Sequence, residues 1–292
     1  MPQDFSMRFA PRVAVAATLV FAPLSSAVAQ NAGKTLAMDF RMTNSVQGTP
    51  DTGVIVGHAV GTSDKMRLDL TMKGASARVT PLADSIVSMI VTDSGKTITY
   101  LDTKKSQFLR VRPAEMVAQA QQMGGMKMDF SETSAKVDSL GAGPAILGHP
   151  TLHYRVTTGM TMSISAMGQQ QIVKIASSND AYYATDIKGY LNPFTTLTGG
   201  DMAAIFGTSN KDFGDKMKAV QQKLPKGTPL RALSTATIVA QGQTRVTNSA
   251  AEVTGIQWVD TDPKTFDVPS TYTATQLPGM GGSSSGAPPP PK

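Results

Sequence analysis

Residues 66–73 read Met-Arg-Leu-Asp-Leu-Thr-Met-Lys, with Met66, Leu68, Leu70 and Met72 alternating with Arg67, Asp69, Thr71 and Lys73. Successive side chains of an extended chain point to opposite faces, so this stretch has one buried face and one wet face. A helix would scatter the same apolar residues around its circumference. The period of two recurs on either side. Leu36, Met38, Phe40 and Met42 alternate with polar or small residues, and so do Leu152, Tyr154 and Val156. Met160, Met162 and Ile164 continue the pattern after Gly159.

Turn chemistry punctuates these runs. Asp93-Ser94-Gly95-Lys96 separates Ile86–Val91 from Thr97–Leu101, the layout of a short hairpin, and Asp102-Thr103-Lys104-Lys105 then leads into Gln107–Val111. Further strands are expected at Val173–Ala176, Ala181–Asp186, Ala232–Gln241, Thr244–Thr254 and Ile256–Asp260. Connections this short make neighbours antiparallel.

Two segments depart from the alternation and predict helices. Pro113 to Met123 has Pro at its first position, places Met116, Val117, Ala120 and Met123 on one face, and stops at Gly124-Gly125. Lys211 to Leu224 spaces Phe213, Met217, Val220 and Leu224 along one side and ends at Pro225 and Gly227. Asp201–Phe206 adds a candidate short turn of helix. A helix with one apolar face must dock on something apolar, and a long antiparallel sheet supplies it.

The chain ends carry other signals. Arg8 and Arg12 precede the apolar run Val13 to Leu24, and Ala27 and Ala29 stand at the small-residue positions of a cleavage site. Residues 1–29 are therefore expected to be a secretory signal peptide, which makes the protein periplasmic or secreted. The apolar run is shorter than the roughly 20 residues that span a bilayer, and no other stretch approaches that length. The Gly/Ser/Pro-rich segment 277–292 is expected to be a disordered tail. Residues 30–276 are left as one β-rich domain.

Composition excludes several kinds of chemistry. The chain has no cysteine, so it carries neither disulfides nor thiolate metal sites, and no lipobox cysteine for acylation. Its net charge of +6 is scattered, without the clustered basic stripe of a nucleic-acid surface. His149 and His153 have i, i+4 spacing, but on a strand they stand about 13 Å apart, too far to share one ion. No nucleophile elbow, zinc-protease, P-loop or S-x-x-K motif is present. The expectation is a non-enzyme with no catalytic residues, no metal site and no cofactor.

Methionine is the unusual residue, with 17 in the chain. Met123, Met126 and Met128 cluster around Gly124-Gly125, and Met160 and Met162 follow. Thioethers are soft ligands suited to Cu(I). They are also the flexible filler of adaptable apolar surfaces. The alternation and helix-face positions favour the second reading. Met116, Met123, Met126, Met128, Met160 and Met162 are the candidate ligand-binding residues for an apolar or lipid-like ligand.

The order of elements resembles a known family. Lys65-Met66-Arg67-Leu68-Asp69-Leu70 has the K-x-R-x-D strand form, and the turn-linked stretch Asp93 to Phe108 follows. Ile146-Leu147-Gly148 then precedes a strand bearing Tyr154, Ala184-Thr185-Asp186 stands near Pro193-Phe194, and Phe266-Asp267-Val268-Pro269 and Tyr272 close the pattern. This resembles the exported bacterial proteins grouped as domain of unknown function 4412. That family in turn is similar to the LolA-like carriers that shuttle lipoproteins to the outer membrane. The resemblance departs at His149-Pro150-Thr151, where the family usually has a cysteine or other small residue. Together with the strands and helices read above, it gives a mainly β (α+β) fold as the expectation: one curved antiparallel sheet or open half-barrel of about ten strands, with two or three helices on the concave face. By analogy with those carriers it also implies an envelope protein that binds something apolar or a lipidated partner. A Met-rich copper-binding protein and a non-catalytic structural component are the alternatives.

Overall fold

The computed structural model describes residues 34–50, 52–74, 86–113, 115, 126–166, 169–197 and 211–275, with the backbone alone at 86, 126–128, 166, 169 and 195. The expected signal peptide of residues 1–29 and the expected disordered tail of residues 277–292 lie outside the described residues.

The alternating stretches all enter one open sheet of twelve strands in the order β12-β6-β5-β4-β3-β2-β1-β11-β10-β9-β8-β7. The strands are β1 Thr35–Val46, β2 Thr52–Gly61, β3 Met66–Lys73, β4 Ile86–Thr92, β5 Thr97–Asp102 and β6 Gln107–Val111. They continue as β7 Met126–Ile146, β8 His149–Ala166, β9 Gln169–Ala184, β10 Thr228–Ala240, β11 Gln243–Val259 and β12 Thr273–Ala274. Every pairing is antiparallel except β12 with β6. Strands β1–β6 and β7–β11 are two meanders joined along β1 and β11.

The hairpin at Asp93–Lys96 forms as its residues dictate. Ser94 and Gly95 take φ of 56° and 95°, and the Thr97 hydroxyl donates to the Asp93 carboxylate over 2.6 Å. Asp102 closes the next turn by accepting from the backbone N–H of Lys104 and Lys105 at 3.1 and 3.0 Å. The Lys105 bond first, then the charge beside it, hold the Asp102 carboxyl below the usual carboxylate range.

Cross-strand partners share a face, and the register carries an apolar row across the sheet. One row runs Met72, Ile55, Met42, Ala251, Ala232, Ala181, Tyr154. Over β1–β4 this face is a dry core: Leu36, Met38, Phe40, Met66, Leu68, Leu70 and Val91 are all at most 2% exposed. Burying each such side chain contributes about 1.5–3 kcal/mol.

The segment after β9 recrosses that face and covers it. Ile187 and Phe194 are buried in the same cluster, and the Phe194 ring meets Phe40 edge-on at 5.7 Å. Tyr190 meets Trp258 at 5.3 Å, and the Leu191 N–H donates to the Thr62 carbonyl at 3.0 Å. Within this segment α1, Pro193–Leu197, starts where Asn192 Oδ1 accepts from the Phe194 N–H at 2.7 Å. The chain after β11 takes the opposite face. A 3₁₀ turn at Pro263–Phe266 packs near β3 and β4 and buries Phe266, and β12 then lies beside β6.

Several expectations need correction. About ten strands become twelve. Gln169–Ala184 is one strand where two were expected, and so is Gln243–Val259. In the latter the register slips between Gly255 and Val253, so the alternation changes phase in mid-strand and reads as two. β2 and the 21-residue β7 were not anticipated. Two or three helices were expected, but among the described residues one helix exceeds five residues, α2 at Lys211–Lys223. It buries Phe213 and Val220 as the spacing predicts. The Pro113–Met123 candidate is described at Pro113 and Glu115, which are helical, and its remainder and Asp201–Phe206 lie outside the described residues.

Candidate functional site

The candidate methionines divide into three groups. Met116 and Met123 lie outside the described residues. Met126 and Met128 lie in β7, opposite Ala166 and Ile164, and so belong to a paired strand. Met160 and Met162 lie in β8, opposite Ile175 and Val173 of β9. Met160 is 8% exposed and Met162 is half-buried.

Register adds what spacing did not show. The described strands carry Met38, Met42, Met66, Met72, Met89, Met126, Met128, Met160 and Met162, and all nine register positions fall on the same face of the sheet. Beyond the dry core a polar band crosses this face, with Ser234 bonded to Asn179 and Thr158 to Ser177, and apolar residues return over β7–β10 as Phe130, Met162, Val173 and Ala240, and as Met160, Ile175 and Ile238. Most of these side chains are only half-buried. Met160 and Val173 are the buried ones.

Helix α2 is pinned to this wing by a bulge in β7. The register shift between Ser131 and Ser134 and the φ of 51° at Glu132 turn neighbouring side chains opposite ways. Thr133 reaches α2: its hydroxyl donates to Asp212, and Lys216 Nζ donates to the Thr133 carbonyl at 2.8 Å and to Asp212 at 2.6 Å. Glu132 instead accepts from the Thr161 hydroxyl at 2.6 Å, which first among its contacts lowers its carboxyl below the usual range.

The opposite face of the same wing is polar. At its centre lies a depression of about 310 Å³ where β1, β11, β10 and β9 run side by side. Thr43, Ser45, Ser178 and Asn248 line it, together with the half-exposed Leu233. Asp180 stands at its rim, gripped by Arg155 through Nε at 2.8 Å and Nη2 at 2.9 Å. His153 Nε2 lies 3.1 Å from the same carboxylate, and its ring stacks on Tyr182 at 4.3 Å. The Arg155 bonds hold the Asp180 carboxyl below the usual range. The remaining histidines also pair with aspartates: His58 with Asp39 at 2.7 Å and His149 with Asp186 at 2.8 Å. Sequence reasoning placed His153 on a strand but gave no sign of the Asp180–Arg155 grouping, whose members come from different strands.

Among the described residues no three His, Asp or Glu side chains gather as a metal site, and no helix is long and apolar enough to cross a membrane. Comparison with known proteins found no matching family model and no matching curated sequence.

Proposed function

We propose that this is an exported envelope protein that binds an apolar chain or a lipidated partner against its methionine-bearing face, and that it is not an enzyme. The observation that carries the reading is the segregation of all nine described strand methionines to one face of an open sheet. Methionine has an unbranched, polarisable side chain that repacks at low cost, which suits a surface that must fit a flexible guest. The half-buried end of that face over β7–β10 is where a guest would add the most contact. Membership of the 4412 group and a LolA-like half-barrel belong to the same proposal.

The test exchanges Met126, Met128, Met160 and Met162 together for leucine, which keeps volume and apolarity and removes the thioethers. Wild type and variant are titrated in parallel with a fluorescent fatty acid and with Cu(I) under a competing chelator. Both proteins should bind the fatty acid with similar affinity. Tight Cu(I) binding by wild type alone would replace the proposal with the soft-metal reading. No binding of either probe would leave a structural envelope component as the better reading.

A further inference from the structure

Of the residues that line the polar depression, Thr235 bonds to Asn248 and Ser234 to Asn179, but other hydrogen-bonding groups of the lining are not consumed internally. Among the described residues the hydroxyls of Thr43, Ser45 and Ser178 have no side-chain hydrogen bond. Asn248 accepts from Thr235 at 2.9 Å through Oδ1, which leaves its amide N–H₂ as a donor. A carboxylate offers about four acceptor positions. Asp180 gives two on Oδ1 to Arg155 and His153 and one on Oδ2 to Arg155, so Oδ2 keeps a free position. Several uncommitted donors and acceptors thus converge on one concavity, and Leu233 puts apolar surface among them with 38% of its area exposed.

Charge and topology restrict the occupant. Asp180 is the one charged side chain lining the depression, and Arg155 pairs with it, so the lining offers no uncompensated charge to an anion or a cation. All four strands beneath it are interior, with their backbone groups paired on both sides, so an extended peptide finds no edge to join. A guest must therefore be recognised by side chains alone, as a neutral molecule with many hydroxyls and an apolar C–H surface. A sugar ring has both. The volume lies at the lower end of the roughly 300–1,000 Å³ typical of small-molecule sites.

We propose that this depression binds a neutral saccharide, with one ring over Leu233 and its hydroxyls bonded to Thr43, Ser45, Ser178, Asn248 and Asp180. The site lies on the face opposite the methionines, so it stands or falls independently of the apolar-ligand reading. It would let the protein hold envelope glycan on one face while the other remains free. Arg155 and His153 act as positioning residues: they fix the Asp180 carboxylate so that its open lone pair points to a defined place.

The experiment is a methyl-NMR titration of the full chain with glucose, N-acetylglucosamine and cellobiose at millimolar concentration, and with inorganic phosphate as an anionic control. Saturable shifts at the Leu233 and Ala250 methyls with at least one sugar, and none with phosphate, are expected. Thr43→Val with Ser178→Val keeps strand-forming residues and should weaken sugar binding at least tenfold. If that double variant does not fold, Leu233→Glu at its exposed position should remove the sugar-induced shift at the Ala250 methyl instead. Absence of any sugar-induced shift overturns the proposal, as does unchanged affinity in a folded variant. Phosphate binding in preference to the sugars also overturns it.

Discussion

Gly57 shows how a single missing side chain sets the core. It lies opposite Phe40 and Leu70, and a Cβ placed on it would stand 2.3 Å from Phe40 Cζ and 2.7 Å from Leu70 Cδ2. The Phe40 ring therefore occupies the space that a side chain at 57 would need, and the strand loses nothing in coverage. Gly57→Ala should destabilise the protein by about 1–3 kcal/mol, the usual cost of overpacking. Urea denaturation measures this, and an unchanged midpoint would mean that the ring moves freely. Tyr183 carries a different kind of constraint. Burial against Tyr154, 6.1 Å between ring centres, pushes its hydroxyl up to about 12 from 10.0. The neutral form is the one the fold accepts, so its contribution is intact below pH 10 and is lost as the pH rises towards 12. The loss is on the order of 2 kcal/mol. Stability measured across that window should fall less steeply in Tyr183→Phe, and identical curves would remove the tyrosine as the cause.

At the scale of elements, legibility follows from how long the alternation keeps its phase. β3 and the β4–β5 hairpin keep theirs throughout, and the sequence reads directly into the structure. β7 shifts register at Ser131/Ser134, Ser139/Gly141 and Gly143/Ile146, so no run long enough to recognise survives in its 21 residues. β2 hides for another reason. Its buried positions include Gly53, Gly57, Ala59 and Gly61, which are small because partners such as Phe40 fill the space. The candidate sites divide in the same way. Met160 and Met162 are two residues apart on one strand, and their shared face was visible. Thr43, Asp180, Leu233 and Asn248 come from four strands spread over 200 residues of chain, and only the register brings them together. The bulge in β7 is the element-level device that matters most. It aims Thr133 at α2 and Glu132 at the other face, so one irregularity serves both sides of the sheet.

For the whole molecule, the two faces differ: one carries the dry core over β1–β4 and the half-buried methionine-bearing patch over β7–β10, the other holds the polar depression. The sheet is continuous because β1 pairs with β11 along its full length, Thr35 opposite Val259 through Val46 opposite Thr247. All other antiparallel pairs join strands that follow one another in the chain. That arrangement sets the order of folding. β9 and β10 must close across the segment that holds α1 and α2. The hairpins within β1–β6, β7–β9 and β10–β11 can zip up as soon as their own residues are present, at small entropic cost. The seam cannot, because β1 has to wait, with one edge bare, until nearly the last strand arrives. Refolding from denaturant should therefore show fast acquisition of strand signal and a slower final phase, and Ile256→Ala in the seam should retard the slow phase alone. A chain delivered from its N-terminus spends that interval with Thr35–Val46 exposed as a sticky edge, which makes it a natural client for a holding chaperone until synthesis is complete.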